Sequence, residues 1–149
     1  MPSNRPADLI GFGVAGKDAA GAIHQGLSTV FADPDNSDWH RTLVFTMVGA
    51  VEHHPLARRL LGGLEPEVTA RVLDIPALAE LRKACAERIR HDQLAGTVRP
   101  DIDPATVGNG FVAIILSLLM SVVQLGEAAT MTYATDVAAV FAAALDRKP

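Results

Sequence analysis

The chain has 149 residues, 49% hydrophobic yet only 5% aromatic, with 13 basic against 17 acidic residues and a formal charge of −4. That length suits one domain able to bury about two thirds of the surface its unfolded form exposes, and a composition rich in alanine and leucine favours helices. The acidic balance lacks the positive footprint needed to neutralise nucleic-acid phosphates. The single cysteine, Cys85, excludes an internal disulfide and fits a reducing cytoplasm, the expected location.

The N-terminal MPSNRPADLI lacks the apolar core of a secretion signal. Residues 11–21 read GFGVAGKDAAG, with Gly11, Gly13 and Gly16 at the spacing of a dinucleotide loop and Lys17 closing a G-x-x-x-x-G-K. A dinucleotide loop must leave a buried strand, and only Ala7, Asp8, Leu9 and Ile10 precede Gly11. A phosphate-cradling loop needs a hydroxyl after its lysine, where Asp18 stands. Residues 1–16 are therefore read as a lead-in without nucleotide chemistry.

From there the apolar residues recur at three and four rather than two, and Pro or Asp marks most helix starts. The fold predicted is all-α, an antiparallel bundle of about six or seven helices. The first runs from about Lys17 to Phe31 and ends at the turn-rich ADPDNSD. Ser37 or Asp38 caps the second, which carries Leu43, Met47, Ala50 and Val51 on one face down to Glu52. Two short helices follow, Pro55 to Leu61 and Pro66 to Leu73. After Asp74 and Pro76 a longer amphipathic helix sets Leu78, Leu81, Cys85 and Ile89 on one face and stops at Gly96. Asp103 then caps a segment that opens at Pro104 and runs to Gly126 without a charged residue.

An uncharged helix of that length needs burial nearly all round, which raises the question of a membrane span. Asn109, Ser117, Ser121, Gln124 and two glycines, together with the lack of a basic flank, favour a soluble helix packed on its own domain and on a partner. The last helix, read from about Tyr133 to Leu145, gathers Val137, Val140, Phe141, Ala144 and Leu145 on one stripe amid alanines. Two consecutive helices without a sufficient charged face suggest an intermolecular four-helix bundle, two from each subunit.

The order of HHPLARRLLGGLEPEVTARVL, PALAELRKACAERIRHDQLAGTVRPDIDP, a long uncharged helix and a terminal amphipathic one resembles the C-terminal regulatory domain of tetracycline-repressor-type (TetR-family) transcriptional regulators. The resemblance covers residues 54–147. Its most telling piece is a Gln-x-x-Gly-x-x-Arg-x-Asp-x-Asp-Pro pattern met by Gln93, Gly96, Arg99, Asp101, Asp103 and Pro104. It implies that residues 17–147 form the effector-binding and dimerising half of a repressor, a homodimer without enzymatic activity. Family members read DNA through an N-terminal helix-turn-helix segment, and residues matching it are missing from this sequence.

In the family an apolar ligand lodges among the helices of each subunit and changes the spacing of the two DNA-reading heads, but no shared motif marks the pocket. The lining candidates are therefore taken from this sequence: Phe45, Met47, Leu81, Cys85, Ile89, Phe111 and Ile115, apolar or adaptable side chains on the three longest core-facing helices. The dimer-interface candidates are Leu118, Leu119, Val122, Val137, Val140, Phe141 and Ala144. No cofactor or metal is expected. His53 and His54 point about 100° apart on a helix, while His24, His40 and His91 lie in separate segments and suit surface or capping roles. Cys85 on an apolar face reads as inert packing, and no Ser, His and acid form a catalytic arrangement. The basic residues between Arg58 and Arg99 are interleaved with acids, the pattern of a solvated face.

Overall fold

A computed structural model describes residues 20, 21, 23–53 and 75–147, and within them all regular structure is helical. The elements in chain order are α1 (residues 23–30), α2 (Trp39–His53), α3 (Pro76–Leu94), α4 (Pro104–Leu125) and α5 (Glu127–Leu145). The glycine loop and the two short helices expected between Pro55 and Leu73 lie outside the described residues.

Local chemistry sets the boundaries. The connection from α1 to α2 is built of side-chain turns: Asp33 accepts from the Asp35 amide and Asn36 from the Asp38 amide. Asp38 stands just ahead of α2, and its carbonyl accepts from the Thr42 amide. Beyond α3, Gln93 donates through its Nε2 to the carbonyls of Arg99 (3.1 Å) and Ile102 (2.9 Å), which folds the turn under the helix end. Arg99 grips Asp101 through two 2.6 Å hydrogen bonds. Asp103 then caps α4 by accepting from the amide and hydroxyl of Thr106, with Pro104 in the first turn. The motif behind the family resemblance thus has a mechanical role residue by residue: it turns the chain from α3 into α4.

Helix α5 begins at Glu127, earlier than the expected Tyr133. Gly126 is the entire connection, at φ 80° and ψ −175°, a conformation essentially reserved for glycine. It ends one helix and starts the next, so α4 and α5 form a hairpin. The return is closed at the far end, where the Arg99 amide donates to the Leu145 carbonyl and Arg147 Nη1 to the Gly96 carbonyl.

α3 packs most extensively on α4, and α5 packs on both α2 and α4. At Gly108 the α3–α4 contact is so close that a Cβ would stand 3.0 Å from the backbone nitrogen of Ala86. Leu43, Val44, Met47, Val48 and Val51 of α2 join Leu78, Leu81, Cys85 and Ile89 of α3 in one core, with Ala50 only half-buried. Each such buried Val, Leu or Ile contributes roughly 1.5–3 kcal/mol over its exposed state. An aromatic series runs through one end of the bundle. Trp39 lies 5.7 Å from Phe31 and 6.2 Å from Phe111, whose ring stacks on Phe141 at 3.9 Å and 13°.

Candidate functional site

The seven lining candidates all belong to, or pack against, one continuous core. Met47, Leu81, Cys85, Ile89, Phe111 and Ile115 are buried within it, and Phe45 lies against its edge, partly covered by the Arg41 guanidinium 5.2 Å from its ring centre. α2, α3 and α4 therefore do bring these side chains to a shared apolar interior. Burial also acts on Cys85, pushing its thiol up to about 12 because the thiolate has no water or cation to stabilise it. The described residues around it offer packing and not nucleophilic chemistry.

The interface candidates divide differently. Leu118, Leu119, Val122 and Phe141 are buried within the chain's own core, Val137 and Ala144 are half-buried, and only Val140, 58% exposed, faces out. Phe141 is occupied by its stack on Phe111, so one lining candidate and one interface candidate form a single contact. The outward face of α4 instead carries Asn109, Ala113, Ile114, Ser117, Gln124 and Leu125. That of α5 includes Met131, Tyr133, Ala139, Val140 and Ala143, with Asp136 as a charged group among the described side chains. On α4 the hydroxyls are satisfied internally: Ser117 donates to Ala113 and Ser121 to Ser117. Both helices are long and apolar enough to cross a membrane by length and composition, and less than half of each apolar window is covered by the rest of the chain.

A buried polar cluster corrects the expectation that the basic residues between Arg58 and Arg99 form a solvated face, because Arg88 is buried. Arg88 and Asp92, one helical turn apart on α3, pair at 3.1 Å, and both are nearly inaccessible. Asp92 also accepts from Trp39 Nε1 at 3.0 Å. Arg88 also donates from Nη1 to the carbonyl of Asp33 (3.0 Å) and from Nη2 to that of Asn36 (2.7 Å). These five groups lash the α1–α2 connection to α3, and their mutual hydrogen bonding is what makes the buried charges tolerable. The positions were legible in principle, since 85, 88, 89 and 92 follow helical spacing and place both ionic residues on the buried face of α3.

The histidines correct one expectation. His40, read as a surface or capping residue, is buried, and its ring meets Trp39 edge-on at 5.9 Å. Its Nδ1 has no hydrogen-bond partner among the described residues. His24 on α1 lies 3.5 Å from Glu80 on α3, His91 Nδ1 is 3.1 Å from Asp92, and His53 Nδ1 bonds the Gly49 carbonyl. Among the described residues no group of three His, Cys, Asp or Glu side chains is arranged to hold a metal ion. Comparison with protein-family models, curated proteins and solved structures gave no match.

Proposed function

We propose that the chain is the effector-binding and dimerising domain of a TetR-like transcriptional regulator, a ligand-responsive and non-enzymatic repressor module. The observation that carries the reading is the sequence from Gln93 to Leu145: a stapled turn, a capped charge-free α4 and a one-residue reversal into α5. This is the order of parts that the family resemblance implies. The outer sides of α4 and α5 are almost free of charge, which suits association with a second copy about a two-fold axis better than exposure to water. In this reading a small hydrophobic or amphipathic effector enters among α2, α3 and α4 and favours one arrangement of the helices in both subunits. Contact with DNA belongs to a helix-turn-helix head of the kind family members carry.

Light scattering on the detergent-free protein tests the assembly, with twice the 15.7 kDa chain mass expected at micromolar concentration. Ser117→Arg, on the outward side of α4, should return the mass to that of one chain without lowering helicity. A monomer in the unaltered protein overturns the dimer, and recovery only with membranes turns the two apolar helices into spans. Thermal stability in the presence of diverse compounds tests the effector. An apolar binder at a hundredfold excess over its Kd should add about 2.7 kcal/mol. Stabilisation by charged metabolites alone overturns the apolar site, and a dimer unmoved by any compound favours a stand-alone helical scaffold.

A further inference from the structure

His40 sits at the start of α2, beside the cluster that fastens the α1–α2 connection to α3. Its Nδ1 is sealed from water and no described residue places an acceptor or donor opposite it, so the ring fits its place as the neutral tautomer with the proton on Nε2. A second proton would put an N–H and a positive charge where nothing receives them, a costly arrangement in a buried site. Two carboxylates act on the ring, Asp38 just ahead of its own helix and Asp92 across on α3. Asp92 is already engaged by Arg88 and Trp39, with His91 at its open side. A charged His40 could gain Asp92 only at the expense of those bonds.

The remaining surroundings offer no relief. α4 brings no ionisable group at all, and on α5 the described ionisable side chains Tyr133 and Asp136 are exposed. α3, α4 and α5 are joined independently of this corner, through Gln93, the Arg99–Leu145 bond, Arg147 and the close approach at Gly108. We infer that His40 is an acid-sensitive latch: proton uptake at Nδ1 releases residues 31–39 from α3 while the body formed by α3, α4 and α5 stays folded. Burial, the largest influence, holds the ring below its ordinary value of 6.5 in spite of both carboxylates. The closed form therefore binds the proton less readily than the open one. Closure is complete above the ordinary value and weakens as pH falls through it, the opening constant rising by up to about tenfold per pH unit while one proton is taken up. The inference does not depend on the regulator reading.

The chain's one tryptophan, Trp39, makes the test direct. Its emission and the far-ultraviolet helical signal of the whole chain are followed from pH 8 to pH 5. A red shift of emission with most helicity retained is expected, absent in His40→Gln and preserved in His91→Gln. An unchanged emission overturns the latch, as does the same transition in His40→Gln, or loss of the entire helical signal together with the shift. Should His40→Gln fail to fold, His40→Phe takes its place, and histidine-ring NMR of the unaltered chain decides in any case. The neutral ring of His40 should carry its proton on Nε2 and take up the second one below the ordinary value of 6.5, and a ring already charged at pH 7 overturns the proposal.

Discussion

Asp92 illustrates how much one side chain can hold. It receives the Arg88 guanidinium, the indole N–H of Trp39 and one side of His91, while its backbone carbonyl accepts from the amides of Thr97 and Val98. Asp92→Ala leaves a buried cation and a buried indole donor without their acceptor, and should cost about 3–5 kcal/mol of unfolding free energy in a urea titration. The paired change Arg88→Met with Asp92→Leu should recover much of that, since well-packed apolar residues replace a buried ion pair at little or no loss. Cys85 gives the opposite kind of prediction. With a thiol pushed up to about 12 and no exposure, it should stay unmodified by a thiol reagent at pH 8 and react promptly once urea unfolds the chain.

Between α4 and α5, everything turns on Gly126. Its backbone angles exclude side chains, although open space surrounds the position where a Cβ would go, so Gly126→Ala tests conformation separately from packing. It should lower stability by about 1–3 kcal/mol, read from the urea midpoint, with no other contact disturbed. The same glycine explains what was and was not legible. Asp103 and Pro104 announced the start of α4 because capping chemistry is local and needs no knowledge of the fold. Gly126 announced an end, but the immediate beginning of α5 has no side-chain cap to mark it, so that helix was read as starting six residues late. On α3, charge contrasts with apolar residues and the inner face was readable. On α4, which is apolar nearly throughout, periodicity loses its contrast and does not tell the core face from the other, and the interface candidates Leu118, Leu119 and Val122 lie buried in the core. Val140 and Phe141 are neighbours about 100° apart on a helix, one exposed and the other fully buried and stacked on Phe111.

Across the whole molecule, the all-helical class and the α3–α4 turn followed from local signals, whereas the Arg88–Asp92–Trp39 cluster joins positions more than fifty residues apart that no local pattern connects. The burial of Met47, Leu81, Cys85, Ile89, Phe111 and Ile115 was readable for a related reason, because an apolar helix face predicts burial whatever it meets. What it meets, including the stacking of Phe111 on Phe141, is a property of the assembled chain. The bond from the Arg99 amide to the Leu145 carbonyl, seconded by Arg147 on Gly96, ties the end of α5 back to the turn before α4. Two helices and their reversal are thereby closed into a ring without a covalent link. An amide in a non-helical turn ordinarily trades its hydrogen for deuterium within seconds to minutes by local fraying, but this one is freed only when the ring parts. In native-state exchange Arg99 should therefore keep its proton as long as the core amides of α4 and α5, and truncation after Ala144 should make it exchange early. The three-helix body would then open as a unit, with its slowest-exchanging turn lying at the point where the chain's two distant stretches meet.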